Sequence, residues 1–170
     1  MEVTHAQLVK AAHRWGMGTA GCKFGFSEFV SFGKSDESVN MEYPDWIGFK
    51  RKNGRIQSVV VECKVSRSDF KADAKKPSRS SEECALGSFR FYLVPQALIW
   101  PAEIHEDWGL LFAVPIEHSD REFRIEVKKK PRGWNGDDGE PFDCRVNELQ
   151  LLYDALKRMK DKSLFDAMFK

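Results

Sequence analysis

The sequence has no long apolar run, no paired-cysteine motif and almost no net charge, and each of these absences closes off a class of protein. No stretch approaches the roughly 18 consecutive apolar residues of a membrane span. The amino terminus, MEVTHAQLVKAAHRWG, is polar where a secretory leader needs its apolar segment. The expectation is a soluble, cytoplasmic protein with no membrane partner. Cys22, Cys63, Cys84 and Cys144 are widely spaced and form no CxxC pair. That argues against a disulfide framework or a zinc ribbon and for reduced, mostly buried thiols. A net charge of +1 provides no overall basic field, so any contact with nucleic acid has to come from a local patch. Repeats and low-complexity linkers are also missing.

What remains is a chain of 170 residues, 42% hydrophobic and 31% charged, the size of one globular domain (1–170) able to bury a real core. Thr4 with Gln7 forms a capping box, and Leu8, Ala11, Ala12 and Trp15 follow on one helical stripe. In CKFGFSEFVSF the period is two, with Phe24, Phe26, Val30 and Phe32 on one side and Glu28 among them. A polar loop then leads to a strand from Tyr43 to Lys50, on which Asp45, Ile47 and Phe49 share a face. Asn53-Gly54 is a hairpin signal.

The next strand, Ile56 to Val65, is apolar on both faces and belongs in the middle of a layered α/β sheet. Ser66 with Asp69 starts a second helix that runs toward Pro77. FRFYLVP and GLLFAVP read as strands and EFRIEVK as a half-exposed one. Val146, Leu149, Tyr153, Leu156 and Met159 trace a last helix, in 146–170, whose apolar stripe should cover the sheet.

Charges inside these apolar strands need an explanation, because a buried charge costs several kcal/mol, roughly, unless an ion or counter-charge holds it. By strand parity Glu62 and Lys64 share a face, and the two strands before them carry Asp45 and Glu28. A buried ion pair in the sheet is one reading of this set. The other is a hard divalent cation bridging the carboxylates, since Mg²⁺ takes one or two carboxylates with water and phosphate. Carboxylates with a lysine two residues on suit a phosphodiester site.

Pro44-Asp45, sixteen intervening residues, then Glu62-Cys63-Lys64 at the end of an apolar strand resembles the PD-(D/E)XK nuclease superfamily in both motif and hairpin context. VECKVSRSDFKADAKK with the later strands, over about residues 5–128, is similar to the small phage and bacterial MmcB-like DNA-repair branch. The resemblance implies a restriction-endonuclease-like α/β core, in the order αβββαβ, with a mixed sheet flanked by helices. It implies Asp45 and Glu62 as metal ligands with the Cys63 backbone carbonyl, Lys64 as the catalytic lysine, and Glu28 in the place of a further acidic ligand. The cofactor would be Mg²⁺, with Mn²⁺ substituting.

Ser66, Arg67, Lys71, Lys75, Lys76 and Arg79 follow the motif where they could contact DNA phosphates, although a solvated helix face accounts for such charges as well. Asp69 and Asp73, at i and i+4, form a mildly repulsive pair that neighbouring lysines can compensate. Lys128 to Lys130, Arg132 and Trp134 read as a solubilising loop or as a charge-and-aromatic surface for a base. The four histidines share no spacing that suggests a dyad or a metal site.

The expected function is a metal-dependent endonuclease hydrolysing DNA in phage or bacterial DNA processing or repair. The alternative is a non-catalytic DNA-binding or repair accessory protein on the same fold. RNA is the weaker substrate, and a homodimer fits an enzyme that cuts both strands.

Overall fold

The computed structural model describes residues 3–28, 44–75, 86–117, 119, 121–135 and 145–160. Its elements run α1 (His5–Met17), β1 (Phe24–Ser27), β2 (Trp46–Lys52), β3 (Arg55–Cys63), α2 (Arg67–Ala74), β4 (Phe89–Pro95), a 3₁₀ turn (Pro101–Glu103), β5 (Trp108–Pro115), β6 (Phe123–Lys129) and α3 (Arg145–Lys160). The strands form one mixed sheet in sequence order. The β3/β4 and β4/β5 pairs are parallel and the other three antiparallel. Parallel neighbours require crossovers. Here α2 supplies the first and the segment holding the 3₁₀ turn the second.

The expected caps and turns are present. Thr4 Oγ1 accepts from the Gln7 amide while the Gln7 side chain accepts from the Thr4 amide at 2.8 Å. Asn53 and Gly54 both take positive φ, 52° and 78°, which joins Lys52 and Arg55 as partners across a two-residue turn. Ser66 caps α2 by accepting from the Asp69 amide at 3.1 Å.

The sheet has two covered faces. On one, α1 packs Leu8, Ala12 and Trp15 against Val59, Val61, Cys63, Phe91 and Leu93. On the other, Phe70 of α2 meets Tyr92, Val94, Leu110 and Phe112, together with Ile99 and Ile104 of the second crossover. Leu151 of α3 meets Ile47, Phe49 and Val60 there. The protein is therefore an α/β fold, a six-stranded mixed sheet flanked by three helices, and β3 is covered on both sides as its composition requires. Among the described residues, no helix is long and apolar enough to cross a membrane.

Three expectations change. The strand carrying Glu28 is shorter than the apolar period suggests: β1 stops at Ser27, and Glu28 lies beyond it at φ 46°, so it leaves the Phe24–Phe26 row. Val30, Phe32 and the loop to Tyr43 fall outside the described residues. The stripe on α3 faces the wrong way for a core: Val146, Leu149, Tyr153 and Leu156 are exposed, whereas Leu151, Ala155, Glu148 and Asp154 are buried. Glu148 accepts a hydrogen bond from the Ser58 hydroxyl. The sheet offers a polar spot there, where Ser58 and Ser88 hydrogen-bond each other, and a helix docked on it turns its carboxylates inward. Trp134, the aromatic of the basic loop, packs 5.0 Å from both Phe89 and Phe91 with the Lys50 ammonium 3.8 Å from its ring. It is a core contact and does not present a free stacking face.

The side chain next to Asp45 sets the register of the edge. Trp46 is fully buried, and its indole lies against Gly16 of α1, Gly25 of β1 and Gly48 of β2, at each of which a Cβ would collide with the ring. Gly25 and Gly48 are register partners, and the indole N–H donates to His13 Nδ1 at 3.2 Å. We expect Gly48→Ala to cost about 3 kcal/mol by overpacking, with part of the loss recovered in Gly48→Ala/Trp46→Phe. Equal urea midpoints for Gly48→Ala and wild type would exclude this anchoring.

Candidate functional site

The candidate site forms where β3 ends. Trp46 pairs with Val61, so Asp45 and Glu62 are the next residues along two antiparallel neighbours. Asp45 Oδ2 accepts from the Cys63 amide at 2.7 Å, which fixes this carboxylate at the carboxyl end of β3. Glu62 is buried, with register partner Tyr92 on β4. Past the strand end, the Lys64 amide donates to Leu93 O at 3.0 Å, and its ammonium turns back to Glu62 Oε2 at 3.2 Å. The structure thus brings Asp45, Glu62, Cys63 and Lys64 together at one end of the central strands.

Two participants were not identifiable from the motif. Asp73 of α2, 2% exposed, places Oδ1 3.3 Å from the Lys64 ammonium and accepts from the Tyr92 hydroxyl at 3.1 Å through Oδ2. Its sequence signal is its position three residues after Phe70, on the buried side of α2. His5, the first residue of α1, sets Nε2 3.2 Å from Asp45 Oδ1 and Nδ1 3.8 Å from Glu28 Oε1. No local pattern announces a contact across forty residues of chain. Glu28 is joined to Asp45 through the backbone, its amide donating to Asp45 O at 2.9 Å, while its side chain is 65% exposed and faces His5.

Of the DNA-contact candidates after the motif, Ser66 is the cap of α2 and shares a hydrogen bond with the Ser68 hydroxyl at 2.9 Å. Arg67 is engaged by both carboxylate oxygens of Glu103 and by Leu98 O at 2.9 Å, tying α2 to the second crossover. Lys71 and Lys75 are exposed. Lys76 and Arg79 lie outside the described residues.

The electrostatics follow from the packing. Burial raises the Glu62 carboxyl most, Lys64 opposes it, and Asp45 and Asp73 add to it. The result is a pKa pushed up to about 8. Burial alone would lower the Lys64 ammonium, but Glu62, Asp73, Asp45 and Asp69 outweigh it and hold Lys64 well above its ordinary range. Lys64 is thus held as a cation by the acidic groups around it. Burial also raises the Cys63 thiol well above its usual value, so at that position the backbone, rather than the sulfur, is the available ligand.

Among the described residues, no three His, Cys, Asp or Glu side chains converge as ligands for one metal ion. A Mg²⁺ site does not require three, because one or two carboxylates with a carbonyl and water suffice. The all-oxygen donors of Asp45, Glu62 and the Cys63 carbonyl fit such a hard ion.

No protein-family model matches the chain, and none of the curated proteins matches it. Among solved structures it is similar to the SPO1766 protein of unknown function from Silicibacter pomeroyi. The identity is 20%, over 98% of this chain and 96% of that one, with a TM-score of 0.57. The likeness extends over the whole chain and concerns the fold alone.

The raised Glu62 carboxyl makes the stability of the metal-free protein pH-dependent. The folded state keeps a proton that the unfolded chain releases near its ordinary 4.5, so stability falls as pH rises from about 4.5 to about 8. Glu62→Gln removes that dependence. Its Tm should match wild type near pH 4.5 and exceed it at pH 8, by roughly 2–4 °C per kcal/mol relieved. A Tm difference between the two proteins that does not change with pH would contradict this assignment.

Proposed function

We propose that this protein is a Mg²⁺-dependent deoxyribonuclease, an endonuclease of the PD-(D/E)XK type on a restriction-endonuclease-like core. The observation that carries the reading is the meeting of Asp45, Glu62 and the Lys64 ammonium at the end of β3. The element order α1-β1-β2-β3-α2-β4 agrees with the αβββαβ core of that superfamily. Fold does not determine function, so the weight rests on the site.

Asp45, Glu62 and the Cys63 carbonyl would hold the ion. When bound, it neutralises charge growing on the phosphate and acidifies water. The protein's own residues do the rest. Asp45, fixed by the Cys63 amide, would set where the ion lies relative to the strand end. Lys64, whose ammonium the surrounding acids hold above its ordinary range, acts through its charge and its N–H donors, orienting water for in-line attack and stabilising the pentacoordinate phosphorus. Water oxygen bonds to phosphorus and releases a proton to solvent, the P–O bond to the leaving sugar oxygen breaks, and that oxygen takes up a proton from solvent. Lys71 of α2 and Lys75 at its carboxyl end, both exposed, would be the cations that meet flanking phosphates in this reading.

Digestion of plasmid, single-stranded DNA and RNA with Mg²⁺ or Mn²⁺ tests this. DNA should be cut, EDTA should stop the cutting, and Asp45→Ala and Lys64→Ala should each lose about 10²–10⁴ in rate. No cleavage by wild type, or equal cleavage by both variants, would remove the enzyme. Salt-dependent DNA binding without cleavage would then identify the accessory protein instead.

A further inference from the structure

Lys64 does not rest on Glu62 alone. Its ammonium sits between Glu62 Oε2 at 3.2 Å and Asp73 Oδ1 at 3.3 Å, with the side chains of Glu62, Lys64 and Asp73 4%, 8% and 2% exposed. The two carboxylates come from different elements, β3 and α2. Asp73 is itself oriented by Tyr92, whose hydroxyl donates to Oδ2 at 3.1 Å and so turns Oδ1 toward the lysine. Tyr92 has little freedom to move. Its ring stacks on Trp108 at 4.4 Å and meets Phe70 edge-on at 5.1 Å. Phe70 lies one turn before Asp73 on the same helix, so one packing contact sets both ends of the relay.

The two anchors differ in what the reaction asks of them. Glu62 is a ligand for the divalent cation in the reading above, and an oxygen given to that cation is lost, in whole or part, to the lysine. Asp73, on α2, stands outside the ligand set of that reading. A four-methylene side chain released by Glu62 would sample several rotamers, and a misplaced ammonium contributes little to a transition state whose charge is localised on three oxygens.

We propose that Asp73 is a positioning residue that, oriented by Tyr92, holds the Lys64 ammonium on the scissile phosphate while Glu62 serves the metal. The proposal rests on the nuclease reading. A buried ion pair that merely fastens α2 to the sheet would use the same atoms, so the test has to separate position from stability.

Asp73→Asn keeps the shape and the acceptor for Tyr92 but removes the charge facing Lys64. It should lower kcat about 10–100-fold with KM for DNA and Mn²⁺ affinity within about twofold. In a Lys64→Ala background the same change should have almost no further effect, because the group it positions is gone. Tyr92→Phe, which deletes one hydroxyl, should lower kcat several-fold in the same pattern and serves if Asp73→Asn folds poorly. A second readout needs no turnover: the ¹⁵Nζ–¹H signal of an immobilised Lys64 ammonium should be visible in wild type and lost in Asp73→Asn with the amide spectrum retained. An unchanged kcat, or an equal loss with and without Lys64, overturns the positioning role while leaving the nuclease standing. A wild type that cleaves nothing overturns both, and persistence of the ammonium signal in Asp73→Asn overturns the contact itself.

Discussion

The carboxyl end of β3 is built around a charge that the protein has taken out of water. Lys64 is buried between Glu62 and Asp73, and removing an ammonium and two carboxylates from solvent costs more than one ion pair returns unless the geometry is close and hydrogen bonds complete it. The surrounding structure supplies that geometry. Cys63 donates its amide to Asp45, Tyr92 donates to Asp73, and the Lys64 backbone continues the β3/β4 ladder by one bond to Leu93. The group occupies the point where the sheet passes from antiparallel to parallel pairing, at the carboxyl ends of the parallel strands. Open α/β sheets characteristically place their ligand sites there, because crossover connections leave a crevice.

Position at this site is set from outside it. Asp45 precedes a tryptophan that fills a three-sided glycine pocket, so the residue at the start of β2 inherits the rigidity of a packed core contact although it lies outside the strand. The Asn53-Gly54 turn does the same at the other end of the hairpin, since a one-residue slip would move Ile47 and Phe49 from one face to the other and carry Asp45 away from Glu62. Cap, turn and indole are local devices, and together they decide where one carboxylate lands.

That is why much of the fold was legible in the sequence. The capping box, the hairpin turn, the doubly apolar β3 and the parity of Glu62 with Lys64 are short-range patterns whose physics is complete within a few residues. What the sequence hides is choice of partner. His5 meets Asp45 across forty residues, and Asp73 meets Lys64 from a helix whose pattern, without the sheet beneath it, reads equally as solvated charge. α3 shows the limit most plainly. Its apolar stripe is real, yet Glu148 satisfies Ser58 and the opposite side turns inward, because a docked helix answers to the surface it meets as well as to its own periodicity. β1 ends early for a related reason: apolar alternation in the sequence continues past Ser27, but Glu28 takes a left-handed backbone conformation and, although its amide still donates to Asp45 O, its side chain leaves the apolar row.

The balance of charge at the site bears on chemistry as well as stability. A lysine surrounded by Glu62, Asp73, Asp45 and Asp69 is held protonated against the cost of its burial. If an ion bound as proposed, it would displace the proton that burial favours on Glu62, whose pKa is pushed up to about 8, and supply the compensation that burial withholds. Arg67, by contrast, has its charge spent on Glu103. The exposed lysines of α2 keep their charge toward solvent, while Lys64 is enclosed by its acidic partners.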